Sequence, residues 1–327
     1  MKKILAFRND RFGEFLLNIP AFRAIKEIYP EIELHVVVAP SVEGIAGSVP
    51  FIDKVLVRPS GPCPWWEDMA LIGGLRREKY DAAVVLNPSR EAHQIIFWAR
   101  IPVRVGYSRK HHFLLTKTLE DHKHLGLHHE VDNNLDLVKL LGASTADKTL
   151  QLNIPADVKA AVVKKFSLDP HEAMVAVHPW TSDPVKQWPL ERFKELVDGL
   201  AKDFPGKILI IGKPEPWHDE SAFPSPLWGG VGEGGCSRII DLRGKTSLLE
   251  AAAALSFCRC LASCDSGPMH LASAVGTPVV ALFRNDMPGK NPKRWGPWGE
   301  GHIVIQQASM DAITVDNVLL VLKSKLG

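Results

Sequence analysis

The sequence predicts an α/β protein built from two doubly wound domains, and three observations carry that prediction. Short apolar strands alternate with amphipathic helix-length segments through both halves of the chain; the strands are continuous and rich in valine; and 327 residues exceed one ordinary core. Continuous rather than alternating apolar runs mark strands covered on both faces, as in a parallel sheet. Two such domains imply a central cleft between them.

The elements follow in order. Ile4 to Phe7 reads as the first strand, Gly13 to Ile28 as a helix, and Leu34 to Ala39 as the second strand. In that helix Phe15, Leu16, Ile19, Phe22, Ile25 and Ile28 recur three and four residues apart, which places them on one buried stripe. Further strands are expected at Val55 to Val57, Ala82 to Leu86 and Val103 to Gly106. A charged helix within Asn153 to Leu168 reads as the linker, so the domains are expected at 1–160 and 161–327. The second domain repeats the pattern, with strands at Met174 to His178, Ile208 to Ile211, Ile239 to Leu242, around Leu261, and at Val279 to Phe283. A helix from Leu190 to Lys202 lies among them, and a last helix is capped by Thr314 with lysines in its final turn. Nine of the 25 residues in 213–237 are Gly or Pro, a density that no regular element survives. That stretch reads as an inserted surface loop, with Trp217 and Trp228 in it needing partial burial.

Composition narrows the function. A formal charge of +2 shows no bias toward polyanions, so nucleic acid is not an expected partner. There is no apolar run of signal-peptide or transmembrane length, and a cytoplasmic protein is expected. Five cysteines fit reduced thiols better than a disulfide framework. Cys258, Cys260 and Cys264 are close enough to suggest a metal, but they fall on or beside a buried strand, and core packing is the expectation. Six of the 13 histidines lie between His111 and His129 at spacings that fit no compact metal site, and a polar acceptor loop is expected there. The basic-aromatic stretch from Arg90 to Arg109 could face an anionic glycolipid; the expectation is that Phe97 and Trp98 are helix core.

Three stretches could carry chemistry. In "CDSGPMHLASAVG" a strand hands over to a helix at Asp265-Ser266-Gly267-Pro268-Met269-His270. Pro268 suits the first turn and Ser266 or Asp265 the cap, and the free N–H groups of such a helix end attract phosphate. A plain capped helix is the bland alternative. After the strand ending at His178 come Thr181, Ser182 and Lys186, a second set of donors for the same anion, so a diphosphate is suggested. In the first half, "AFRNDRFGEFLLNIP" lacks the G-x-G-x-x-G fingerprint of a nicotinamide dehydrogenase and offers Arg8, Asp10, Arg11 and Glu14 instead. Glu14 near a helix N-terminus is expected to be held ionised, as a general base requires.

Together, "RNDRFGEFLLNIPAFRAIKEIYP", "HPWTSDPVKQWP" and "DLRGKTSLLEAAAAL…CDSGPMHLASAVGTPVVALF" resemble the bacterial heptosyltransferases of glycosyltransferase family 9. The resemblance implies a GT-B fold, with the acceptor bound by the first Rossmann-like domain and the sugar nucleotide by the second. It implies inverting transfer of a heptose or related sugar from a nucleotide diphosphate, ADP-heptose by implication, to a lipopolysaccharide core acceptor at the cytoplasmic face of the inner membrane. No cofactor and no metal are implied. Carried onto this chain, it implies Glu14 and Lys186 as catalytic residues and Arg8 and Arg11 on the acceptor side. Thr181, Ser182, Lys186, Asp265, Ser266, Gly267 and His270 would hold the donor, with Glu215 for its ribose. Glu14 stands where the family pattern has Asp, the ribose contact falls at the start of the insertion, and Arg284 replaces a small residue. A sugar-nucleotide epimerase or hydrolase and a non-catalytic nucleotide-sugar-binding homologue are the alternatives.

Overall fold

A computed structural model describes residues 1–213 and 238–326. The chain divides into two compact units, Met1–Asn153 and Ile154–Gly327. The helix expected as a linker, Ala156–Phe166, belongs to the second unit: Lys165 Nζ donates to Glu250 Oε1 at 2.8 Å. The boundary therefore falls before that helix rather than inside it.

The first unit runs β1 (Lys3–Arg8), α1 (Phe12–Leu16), α2 (Ile19–Ile28), β2 (Glu33–Val38), α3 (Glu43–Ala46), β3 (Lys54–Val57), α4 (Trp65–Glu78), β4 (Ala82–Val85), α5 (Arg90–Trp98), β5 (Val103–Tyr107), β6 (Lys117–Leu119) and α6 (Glu130–Val138). Its six parallel strands lie in the order β3-β2-β1-β4-β5-β6. The order reverses between β1 and β4, whose carboxyl ends flank the crevice where doubly wound sheets bind ligands. One helix was expected over Gly13 to Ile28, and two are found. Pro20 lacks an N–H and its ring crowds the carbonyl four residues back, so the helix breaks at Leu17 and Asn18. The side-chain amide of Asn18 then donates to the Glu14 carbonyl at 2.5 Å, taking up an acceptor that the break strands.

The second unit runs α7 (Ala156–Phe166), β7 (Met174–His178), α8 (Leu190–Asp203), β8 (Lys207–Ile210), β9 (Ile239–Asp241), α9 (Leu248–Leu255), β10 (Cys260–Cys264), α10 (Gly267–Ala274), β11 (Val279–Arg284), α11 (Pro292–Trp295), β12 (Ile303–Gln307) and α12 (Val315–Leu326). Its sheet order, β12-β11-β10-β7-β8-β9, repeats the first, with the reversal between β7 and β10. The core joins Val175, Val177, Ala262 and Cys264 of the central strands to Phe193, Leu196 and Leu200 of α8. Trp188 is fully buried, its ring edge-on to Phe193 with centroids 4.8 Å apart and its Nε1 donating to the Ile313 carbonyl at 3.0 Å. α9 opens on a capping box, Ser247 with Glu250. In α12 the Thr314 hydroxyl accepts from the Asn317 N–H at 3.4 Å. Cys258, Cys260 and Cys264 are free and buried, and burial raises all three thiols, Cys260 and Cys264 to about 12.

Candidate active site

In the second unit, α/β geometry brings together two loops far apart in sequence. β7 and β10 pair in register, with Ser263 beside His178, so the chain leaving each strand turns into the same crevice. His178 is buried and neutral, its pKa lowered by burial to about 3. Its Nδ1 lies 3.1 Å from Ser266 Oγ and 3.3 Å from Ser263 Oγ, and the two hydroxyls are 2.9 Å apart. Ser266 occupies the cap position of α10, but its hydroxyl is committed to this triad and caps nothing. The expected side-chain cap is thus replaced by an open helix end, whose N–H dipoles favour an anion.

Lys186 reaches the same place from the short turn Pro184–Lys186, its Nζ 2.5 Å from Asp265 Oδ2, in a pair largely shielded from water. Burial raises the Asp265 pKa, and Lys186 only partly offsets that. Thr181 Oγ1 donates to the Asp265 carbonyl at 3.1 Å, tying the two loops together. Ser182 is exposed, while Gly267 and His270 lie in the first turn of α10 with His270 buried. Glu215 lies outside the described residues, as do the two tryptophans and all but Lys213 of the 213–237 stretch.

Sequence reasoning missed the outer support of this loop. Asp183 accepts from Lys290 Nζ at 2.7 Å, which holds its carboxyl below the usual range, and also from the Val185 N–H at 3.3 Å. Arg284, noted as unusual for its position, donates to the Val185 carbonyl at 3.1 Å and pairs with Asp286. The last residue of β11 and the segment after it thus grip the turn that carries Lys186. Gly212, at the end of β8, has φ +142°, and a Cβ there would meet the Trp180 ring at 2.8 Å. An Asp followed by Pro is a turn signal that the sequence does carry at Asp183-Pro184, but nothing in the sequence links it to Lys290.

In the first unit the loop after β1 sits at the β1–β4 reversal. Arg8 is buried, pairs with Asp10 at 2.8 Å and donates to the Leu86 carbonyl at 2.9 Å. Burial opposes its charge, yet the nearby carboxylates of Asp10, Glu130 and Glu14 outweigh that and raise its pKa. Arg11 is exposed. Glu14 is half-buried, and its pKa is raised: desolvation exceeds the attraction of Arg8, and Asp10 adds repulsion. The expectation that a helix end holds Glu14 ionised is therefore corrected. α1 is a five-residue helix, and burial outweighs whatever its end supplies. Behind this loop Lys123 and Glu130 form a buried pair at 2.7 Å, with the Lys123 ammonium 4.2 Å from the Tyr107 ring centre.

The histidine tract forms short turns around β6, and among the described residues no group of three or more His, Cys, Asp or Glu is placed to hold a metal ion. Phe97 and Trp98 are exposed, 37% and 57%, and do not belong to the core as expected. Among the described residues no helix is long and apolar enough to cross a membrane.

The chain is 24% identical to lipopolysaccharide heptosyltransferase 2 of Salmonella typhimurium over 300 residues, 89% of this chain and 85% of that one. Its fold matches the crystal structure of a family 9 glycosyl transferase from Veillonella parvula with a TM-score of 0.83 at 20% identity, over 99% and 97% of the two chains. The Escherichia coli ADP-heptose LPS heptosyltransferase II superposes with a TM-score of 0.81 at 22% identity, over 100% and 98%. These are GT-B likenesses, and the paired doubly wound sheets agree with them. The model of glycosyltransferase family 9 (heptosyltransferase) matches residues 69–318, which run from within α4, through both loops of the second-unit crevice, to the first turn of α12. A match over that much of the chain leaves one conclusion: the protein belongs to glycosyltransferase family 9, the heptosyltransferases, and is a glycosyltransferase.

Proposed function

We propose that the protein transfers a heptose, with inversion, from ADP-heptose to a sugar hydroxyl of a lipopolysaccharide core precursor presented at the cytoplasmic face of the inner membrane. The observation that carries this reading is the Lys186–Asp265 pair at the uncapped end of α10, a cation and an open helix end in one crevice. The second unit would take the nucleotide sugar and the first the acceptor. Support for the donor comes from the relatives, one of which is named for ADP-heptose.

In the proposed reaction the Glu14 carboxylate takes the acceptor hydroxyl proton, the freed oxygen bonds to the anomeric carbon, and the bond from that carbon to ADP breaks. The raised Glu14 pKa suits a base working near neutrality better than an ordinary surface carboxylate would. Charge accumulates on the departing diphosphate. The α10 dipoles and the Lys186 ammonium would meet it in a site already desolvated and bridged by Thr181. The diphosphate and Asp265 would then share Lys186.

The test is calorimetry with ADP and ADP-heptose, followed by transfer to a deacylated core acceptor. Glu14→Gln should bind ADP with unchanged affinity and lose turnover by at least a hundredfold, in the range that positioned bases contribute. Free heptose released without acceptor would instead identify a hydrolase. Loss of ADP binding in Glu14→Gln would place that residue on the donor and undo its role.

A further inference from the structure

The exposed face of α4, continued by the carboxyl end of α5, has no use in the chemistry above. We propose that this face docks on an anionic lipid bilayer surface. Both helices cover the same side of the first sheet, where Ile72, Leu75, Ala92, Ile95 and Ile96 pack against Leu5, Phe7, Ala83 and Val85. Trp66, Ala70, Gly73 and Arg77 recur at helical spacing and therefore share the side of α4 turned away from Ile72 and Leu75. Trp65, Met69 and Arg76 line the flank toward α5, where Arg76 Nε donates to the Trp98 carbonyl at 2.8 Å. Trp65 is 73% exposed, Trp66 60%, Met69 55% and Trp98 57%. One such residue in water is ordinary, but this many on two adjacent helices mark a contact surface.

The charge on this face selects the partner. Where α4 and α5 end, Arg76, Lys79, Tyr80, Ala99, Arg100 and Pro102 line a shallow cavity of about 410 Å³ that no carboxylate enters. Lys79 and Arg100 have φ of 55° and 59°, the left-handed region where glycine is relaxed, and a cation stands at both. The acidic groups of α4 are mostly occupied. Glu78 is paired with Lys3 and Lys54 at 2.7 and 2.8 Å, and Asp68 with Arg58 at 2.7 Å, leaving Glu67 against Arg76, Arg77, Lys79 and Arg100. On α5, Arg90 and Glu91 in the first turn offset each other.

The relief of the face also bears on the partner. Nothing lies within 4 Å of where a Cβ would stand at Gly73 or Gly74, so the middle of α4 is low, and the aromatic residues sit toward its two ends. Tryptophans around a low, basic surface suit the headgroup layer, where indoles sit half-wet and each cation near an anionic leaflet strengthens binding about fivefold.

The test uses the whole chain with vesicles of phosphatidylglycerol and phosphatidylethanolamine, and with vesicles of phosphatidylcholine alone, in sedimentation at low salt and at about 0.5 M salt. Binding to the anionic vesicles is expected, falling at least about tenfold on phosphatidylcholine or in high salt. Trp65→Ser/Trp66→Ser/Met69→Ser should weaken it by about tenfold or more, and Arg77→Gln/Arg100→Gln by about 25-fold. Equal binding to both vesicle types, or binding indifferent to the variants, overturns the proposal. So does self-association of the wild type that the triple variant abolishes, because the face would then belong to a second copy. The inference uses no donor or base residue. ADP binding in every variant reports that the chain is folded, and its absence in the wild type would refute the donor reading while leaving the vesicle result standing.

Discussion

Lys186 has two partners to satisfy: Asp265, which the structure shows, and a diphosphate, which the function requires. Lys186→Ala should reveal both. It leaves the Asp265 carboxylate, 8% exposed, without the ammonium 2.5 Å away. Removing one member of a shielded ion pair costs about 3–5 kcal/mol, which in a unit of this size lowers the melting temperature by about 6–20 °C. The deficit depends on pH in a defined direction. Burial already raises the Asp265 pKa above its unfolded value, and losing Lys186 raises it further. The folded variant then holds a proton that the unfolded chain gives up, so stability falls as pH rises through the window between the two pKa values. The melting deficit should be greatest at neutral pH and shrink as pH approaches the ordinary aspartate range. ADP affinity should fall about tenfold to a hundredfold, the weight of a charge-assisted contact. Lys186→Ala/Asp265→Asn separates the two roles, because it removes the orphaned charge without restoring the cation. Calorimetry should find melting largely recovered and ADP affinity still low. Recovery of ADP affinity in the double variant would refute the phosphate role and leave Lys186 as the counter-ion of Asp265.

Three further outcomes can be measured directly. If Glu14 is the base, kcat/KM should rise with pH through a value above that of an ordinary glutamate, because burial raises its pKa; a profile flat down to the usual carboxylate range would exclude it. Gly206→Ala should destabilise the second unit severely in a thermal melt, since its Cβ would stand 1.9 Å from the Ala173 carbonyl oxygen, whereas Gly74→Ala, with nothing within 4 Å, should stabilise the first unit by about 0.5–1 kcal/mol. Among the described cysteines, partly exposed Cys63 should alkylate in the native protein, while buried Cys258, Cys260 and Cys264 should react only after denaturation.

Ten of the twelve strands in the described residues were legible because their apolar runs are continuous; of the two that were missed, β6 lacks such a run and β12 carries only the short one Ile303-Val304-Ile305. β6, Lys117–Leu119, and β12, Ile303–Gln307, are edge strands with mostly wet faces, so tertiary pairing rather than hydrophobicity defines them. The break at Pro20 was written in the sequence but masked by an apolar stripe that runs through it. At the site, the residue types and the strand ends were readable. Their partners were not: Lys186 and Asp265 are 79 positions apart, and Asp183 and Lys290 are 107 apart. Glu14 was misread because a local rule about helix ends was applied where burial sets the balance. Phe97 and Trp98 were misread because apolar side chains on a helix are usually inside, and these are not.

The strand order of the second sheet bears on how the chain tolerates added length. His178 and Ser263 touch across 85 positions, because the chain leaves the centre of the sheet, lays down β8 and β9 outward, and returns to place β10 beside β7. Whatever length separates β8 from β9 is spent before the outermost strand, and the central pairing that assembles the cradle does not run through it. Closing a longer loop there costs only about 0.6 kcal/mol for each doubling. An edge position of this kind lets a lineage lengthen the chain between 213 and 238 while the β7–β10 pairing goes on bringing Thr181, Lys186 and Asp265 together.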